Sequence, residues 1–279
     1  MSDRRRSRLY NRTRETSDFR YRFRKLFRFD LLVLYRLLQT SDLAREGMLN
    51  SGSFRFADHI YQNQASGRTF FGRWLDRLLL DFPSTRAMRS RFVKAKNAIF
   101  DIALASYGSE RIEVLTVPCG IPRDYAEAIE SLNRTNPDIV RRMWYTGLDL
   151  DPAAIAQGRT LLGSQANVAF VQGDALDARC FPVNRFHCVC STGLGEFISD
   201  EDLFTFYGNI YKSLAPDGLF YTSALRAGRL AKWLMKTFEL RAMYRTRDQV
   251  RLIIGKWPWS ELRFVEDSSG LQTYVYARK

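Results

Sequence analysis

From Gly108 to the C-terminus, short apolar runs of strand length alternate with segments of helical period, and few architectures accommodate that order. Strands are predicted over 112–118, 143–149, 167–171, 186–191 and 217–223, with helices over 122–133, 152–163 and 199–214 between them and a further helix over 226–241. A strand that returns to the same sheet through a helix lies parallel to its predecessor, and the helices cover the faces of the sheet. Two last strands, 262–266 and 272–278, are separated by the turn Ser268-Ser269-Gly270 and predict an antiparallel hairpin.

The first 107 residues read differently. Residues 1–17 are arginine-rich, lack apolar periodicity and predict a basic arm that is disordered in isolation. Residues 18–107 predict a helical N-terminal extension that caps the sheet domain, 108–279. Within it, 18–39 alternates basic and aromatic groups, which fits a basic amphipathic helix and, by its period of two, also a strand. Thr40 or Ser41 suits the cap of a short helix through Glu46. Phe70, Phe71, Trp74, Leu75, Leu78 and Leu79 mark a helix over 70–80, ended by Phe82-Pro83. Another helix opens at Ser84-Thr85-Arg86, with Met88, Phe92, Ala95, Ile99 and Ile102 inward, and stops at Gly108.

Of the net charge of +13, a net +8 belongs to residues 1–28, where eleven Arg or Lys face three acids. The basicity belongs chiefly to the arm. The apolar run Leu31–Leu38 is too short to span a bilayer and is broken by Arg36, and no signal peptide is visible, so a cytoplasmic location is expected, with peripheral membrane contact open. Cys188 and Cys190, two apart on one strand, share a face. With Cys119 and Cys180 they read as small core residues, and no metal is expected.

Open parallel sheets bind ligands beyond the carboxyl ends of their strands, so the strand ends carry the functional argument. The first runs into Pro118-Cys119-Gly120-Ile121-Pro122-Arg123-Asp124. A glycine there admits backbone close to a ligand, and an ordinary strand–helix turn is the plainer alternative. The second ends Leu148-Asp149-Leu150-Asp151-Pro152. A carboxylate at that position can hold both ribose hydroxyls of a nucleoside, or can cap the helix that begins at Pro152. We assign binding to Asp149 and capping to Asp151. The third leads to Gly173-Asp174-Ala175, where a carboxylate can accept from an adenine amine or belong to a solvated turn. The fourth ends Ser191-Thr192-Gly193-Leu194-Gly195-Glu196, with two glycines open to a ligand.

Together with Leu214-Ala215-Pro216-Asp217-Gly218 before the fifth strand, and the closing hairpin through Thr273-Tyr274-Val275-Tyr276, these segments resemble class I S-adenosylmethionine-dependent methyltransferases over about 110–279. The resemblance implies a Rossmann-like α/β fold: a mainly parallel seven-stranded sheet with a C-terminal antiparallel hairpin, preceded by the helical region. It implies S-adenosyl-L-methionine as cofactor, with Pro118, Cys119 and Gly120 along the methionine moiety and Asp149 and Leu150 at the ribose. It also implies Asp174 and Ala175 at the adenine, and Ser191, Thr192 and Gly193 under the sulfonium. The sequence departs from the family in its first loop, where Thr116 replaces an acid and Pro118 and Pro122 replace the outer glycines.

Methyl transfer from a sulfonium needs alignment above all, and a base only if the acceptor holds its proton. Glu196 and His59 are the candidate catalytic residues. Glu196 also suits the start of the following helix, and His187, mid-strand, reads as a core histidine. The segment after the fourth strand lacks the Asp/Asn-Pro-Pro-aromatic signature of enzymes that methylate planar amines. This favours a small-molecule or lipid-like acceptor, with the helices 50–107 as a lid, over a nucleic acid. A non-catalytic module that binds the cofactor or a partner stays open. The arm can lie on an anionic membrane, bind RNA or DNA, or serve as a solvated tail.

Overall fold

The computed structural model describes residues 36–49, 53–163, 167–226 and 242–279. The arm, nearly all of the 18–39 segment and nearly all of the helix expected over 226–241 lie outside the described residues. Contacts divide the chain into two units: 1–89 with 229–241, and 90–228 with 242–279.

The N-terminal unit contains α1 (Asp42–Leu49), α2 (Phe54–Gln62), α3 (Phe70–Leu80) and the start of α4 (Pro83–Ala105). Its helix starts follow local chemistry. The Ala44 N–H donates to Ser41 Oγ at 2.9 Å, and Ser53 and Thr69 accept from the N–H groups of Phe56 and Gly72. Pro83 falls at the first position of α4, where its missing N–H costs nothing. A small core of Leu43, Ile60 and Leu80, backed by Phe56 and Met88, joins the helices. The buried Asp76 carboxylate ties the connections together. It accepts from the Leu43 N–H at 3.2 Å, the Ser66 N–H at 3.0 Å and the Gly67 N–H at 2.7 Å.

In the second unit, α4 runs on to Ala105, and the remaining elements follow in the order expected for an α/β sheet. They are β1 (Ile112–Thr116), α5 (Arg123–Thr135), the short α6 (Pro137–Val140), β2 (Met143–Asp149), α7 (Pro152–Leu162), β3 (Val168–Gln172) and β4 (Phe186–Ser191). Then come α8 (Asp200–Ser213), β5 (Leu214–Leu225), α9 (Arg247–Ile254), β6 (Glu261–Glu266) and β7 (Gln272–Arg278). The sheet order is β3-β2-β1-β4-β5-β7-β6. Strands β1 to β5 are parallel where they pair, and β7 runs antiparallel to both β5 and β6. This is the mainly parallel seven-stranded sheet with a closing hairpin that the sequence predicts.

Helices cover both faces, which is why β1 is buried at every residue. On one face Val114, Tyr145, Cys188 and Tyr221 pack with Ala95, Ile99 and Ile102 of α4 and Tyr125, Ala128 and Leu132 of α5. On the other, Leu115, Val189 and Phe220 meet Leu203, Phe206 and Ile210 of α8 and Val250 and Ile254 of α9. The wholly buried Ile99 contributes about 2 kcal/mol by its burial. Residues 95–102, placed by sequence in the N-terminal extension, thus belong to the sheet's core, and the contact boundary falls inside α4 rather than at Gly108.

Three further differences from the sequence expectation have physical causes. Strand β5 begins at Leu214, not 217, because the Leu214–Gly218 turn is a bulge within the strand: Phe186 pairs with Leu214, but Cys188 pairs with Leu219. Asp217 takes up the extra length at φ 61°. The short α6 starts at Asn136-Pro137, inside the connection expected to be a loop. Helix α9 was not expected, although Thr246 and Gln249 form a reciprocal capping box at its start.

Candidate cofactor site at the carboxyl ends of the strands

The chain lays down β1, β2 and β3 in one direction and then returns to place β4 and β5 on the other side of β1. The strand order therefore reverses between β1 and β4, where a parallel sheet opens a crevice at its carboxyl edge. The four expected strand-end segments surround this point.

The β1 loop is anchored on both sides. The Val117 N–H donates to the Cys190 carbonyl at 3.0 Å, and the Cys119 N–H to the Leu148 carbonyl at 2.9 Å. The Val117–Pro118 peptide is cis, and Gly120 stands at φ 50°, in the left-handed region that favours glycine. Its N–H donates to Asp149 Oδ2 at 2.9 Å. Asp149 Oδ1 accepts the Asp151 N–H at 2.9 Å, and the Asp149 carbonyl accepts the Gly173 N–H at 2.9 Å. One residue at the tip of β2 thus holds the β1, β2 and β3 loops together. Burial lifts its carboxyl above the ordinary range, while the N–H groups of Asp151 and Gly120 pull it back. Asp151 caps α7 by accepting the Ala153 N–H at 2.8 Å.

Around this hub, Leu150 is 38% exposed, an apolar side chain presented beside a buried carboxylate. Asp174 is half-buried, and its Oδ1 accepts the Leu176 N–H at 2.9 Å. Ala175 packs against the core between β3 and β4. Ser191 is buried at the end of β4, Thr192 half-buried, and Gly193 turns the chain at φ 96°.

The loop that follows is clamped by two arginines that sequence reading did not single out. Arg91 Nη1, from α4, lies 2.6 Å from Glu196 Oε1, and both side chains are buried. Arg245 Nη2 donates to the Ile198 carbonyl at 2.8 Å, and its Nε to Asp200 at 2.8 Å. The Met243 N–H closes the clamp on the Glu196 carbonyl at 2.7 Å. A buried arginine carries no local sequence signature, because its partner lies 105 residues away. Of the two expected catalytic residues, Glu196 is therefore engaged by Arg91 beneath the loop. His59 belongs to the N-terminal unit, where its Nε2 lies 3.2 Å from the Gln64 carbonyl and 3.2 Å from Ser66 Oγ. His187 Nδ1 accepts the Glu113 N–H at 3.1 Å, a bond between the neighbouring interior strands β4 and β1. Cys188 and Cys190 face each other at 3.8 Å between sulfurs, both free and buried in the core.

Thr116, at the end of β1, and Asp124, in the helix after the first loop, are both held by local contacts. Thr116 is buried and hydrogen-bonded to the Tyr145 hydroxyl. Asp124, in the first turn of α5, is half-buried; its Oδ1 accepts the Tyr125 N–H at 2.9 Å, and burial pushes its carboxyl up to about 6.

The residues present fit a nucleoside with a charged tail. Asp149 Oδ2 accepts the Gly120 N–H and Oδ1 the Asp151 N–H, and a carboxylate, with about four lone-pair sites, has acceptor capacity left for a hydroxyl. Leu150 offers an apolar surface to a base, and Gly120 places no side chain over the loop. Among the described residues, no group of three or more His, Cys, Asp or Glu is gathered as for a metal, and no helix is long and apolar enough to cross a membrane.

This sheet order and strand-end arrangement define the class I methyltransferase fold, and solved structures share it. A structure from Bordetella parapertussis, described as a possible exported protein, is 19% identical, with a TM-score of 0.74 over 95% of this chain and 94% of that one. A magnesium protoporphyrin IX methyltransferase from Synechocystis, solved with bound S-adenosylhomocysteine, is 11% identical, with a TM-score of 0.52 over 80% and 93%. The CMeT domain of a citrinin polyketide synthase is 17% identical, with a TM-score of 0.51 over 84% and 68%. No curated protein sequence matches. The model of a family described as "Putative methyltransferase" matches residues 2–223, and the chain belongs to that family.

Proposed function

We propose that this protein is an S-adenosylmethionine-dependent methyltransferase acting on a small-molecule or lipid-like acceptor. The observation that carries the cofactor assignment is the buried Asp149 carboxylate, bonded to the Gly120 N–H at the strand-order reversal. Asp149 would hold the ribose hydroxyls, Leu150 would lie against the adenine, and Asp174 and Ala175 would bound its far edge. Pro118, Cys119 and Gly120 would line the methionine moiety, with Ser191, Thr192 and Gly193 at the end of β4 below the reacting group.

When bound, S-adenosylmethionine supplies a methyl group already activated on a sulfonium. The protein's share of the rate is then alignment and exclusion of water. The Arg91–Glu196 pair and Arg245 hold the post-β4 loop in one shape, and that loop borders the end of β4. Glu196 thereby acts as a positioning residue, and an acceptor with a free lone pair needs no base. The post-β4 segment, Ser191-Thr192-Gly193-Leu194, lacks the signature of planar-amine methylation, which supports the small or lipid-like acceptor over nucleic acid.

Isothermal titration with S-adenosylmethionine and S-adenosylhomocysteine tests the cofactor assignment. Dissociation constants in the micromolar range, about −8 kcal/mol, are expected. A folded protein that binds neither would overturn it.

A further inference from the structure

We infer that Asp124 takes the place of the acid absent at position 116 and receives the ammonium group of the cofactor's methionine moiety. The inference rests on the cofactor assignment above and deepens it.

Register fixes which side chains share the relevant face of the sheet. Thr116 pairs with Gly147 and Cys190, and Val114 pairs with Tyr145 and Cys188, so Thr116, Tyr145 and Cys190 point to one side. That side is covered by α5, through Tyr125, Ala128 and Leu132. Asp124 stands in the first turn of α5, at the end nearest the β1 loop. Its charge is felt by Cys119 in that loop, by Tyr145 on β2 and by Cys190 on β4. Asp124 therefore lies close enough to the β1 loop, to Tyr145 and to Cys190 for its charge to act on all three, on the face that α5 covers.

Among the described residues, no ion pair joins Asp124 to a cation. Its own environment consists of burial, the N–H groups of Tyr125 and Asp124, and the like charge of Glu127. The described ion pairs of Arg111, Arg134 and Arg142's neighbour Arg141 go to Glu113, Glu130 and Asp138, not to Asp124. A desolvated carboxylate without a cation is costly, and it persists where a ligand supplies the cation. The cofactor assigned to this site carries two cationic groups, the sulfonium and the ammonium. The ammonium has N–H donors and can form a charge-assisted hydrogen bond, whereas the sulfonium has none. Thr116, neutral and engaged with the Tyr145 hydroxyl, cannot supply the negative charge.

The test compares two ligands that differ in the amino-acid moiety. S-adenosylhomocysteine carries the ammonium; 5′-methylthioadenosine keeps the adenosine and sulfur but lacks it. Titration of wild type and Asp124→Asn with both is expected to show about a tenfold or greater loss of S-adenosylhomocysteine affinity in the variant, with 5′-methylthioadenosine unchanged. Equal losses for both ligands, or a loss for neither, would overturn the assignment of Asp124 while leaving the cofactor site intact. Wild type that binds neither ligand would overturn both.

Wild type alone provides a second readout. Binding of a cation draws Asp124 to its ionised form, so S-adenosylhomocysteine binding near pH 6 should release a proton, visible as a dependence of the binding heat on the buffer. Binding of 5′-methylthioadenosine should release fewer protons. Asp149 also titrates under burial, but it serves the ribose that both ligands carry, so its contribution cancels in this comparison. The nearby Cys119, Tyr145 and Cys190 are all held neutral at that pH by burial and like charge. Identical proton release for the two ligands would overturn the inference.

Discussion

Asp149 and Gly120, 29 residues apart in sequence, are joined by one hydrogen bond of 2.9 Å that makes the tip of β2 and the β1 loop a single structural unit. Substitution at Asp149 would remove the proposed ribose contact and also release the loop. If Asp149 holds the ribose as proposed, Asp149→Ala should weaken S-adenosylhomocysteine binding by more than about a hundredfold, through loss of two charge-assisted bonds. Asp149→Asn retains acceptor capacity through one oxygen and should fall between Ala and wild type. Titration calorimetry separates the three, and equal affinity in Asp149→Ala would remove Asp149 from the site.

Arg91 and Glu196 form a buried pair at 2.6 Å, with side chains 6% and 9% exposed. Breaking one side leaves a charge in a low-dielectric setting. Arg91→Met should cost about 3–5 kcal/mol in urea unfolding. The double variant Arg91→Met with Glu196→Leu should recover much of that loss, because neither charge remains. If the double variant is as unstable as the single one, the pair's contribution lies in shape rather than in charge.

The fold was legible because the parallel strands are short, mainly apolar runs that alternate with segments of helical period. The capping role of Asp151 was legible because a carboxylate just before Pro152 is a helix cap by local chemistry. What escaped is non-local. The clamp from Arg91 and Arg245 joins residues 50 and 105 positions from their loop partners. The membership of Ala95, Ile99 and Ile102 in the sheet's core depends on which surface α4 covers, and helical spacing does not tell that. The α9 start was readable in Thr246 and Gln249, but its eight residues made too short a periodic run to stand out.

Gly193 turns the chain at φ 96°, and a Cβ there would meet Arg91 Nη2 at 3.4 Å. The contact is ordinary, so the backbone angle sets the cost. Gly193→Ala should lower stability by about 1–3 kcal/mol and disturb the clamp below it. Denaturant unfolding measures the first effect. A loss of less than about 0.5 kcal/mol would mean that the loop relaxes to a conformation open to alanine.

Burial pushes the Asp124 carboxyl up to about 6 from an ordinary value of 3.8, and the sign of the linkage follows. Between those values the folded state binds more protons than the unfolded state, so stability falls as pH rises from 4 towards 6 and then levels off. Above pH 6 the ligand-free protein carries the full cost of an ionised, desolvated carboxylate. Asp124→Asn removes that cost and should stabilise the ligand-free protein by about 1–2 kcal/mol at pH 8, a figure discounted for the partial exposure of the group. The gain should shrink to a few tenths of that by pH 4, where the folded carboxyl is protonated and the unfolded one is about half protonated. The variant that binds cofactor less tightly is thus expected to be the more stable one, as when a site keeps an unpaired charge for its ligand. Thermal unfolding of both proteins from pH 4 to pH 8 measures the difference, and a constant offset across that range would show that Asp124 does not titrate near 6.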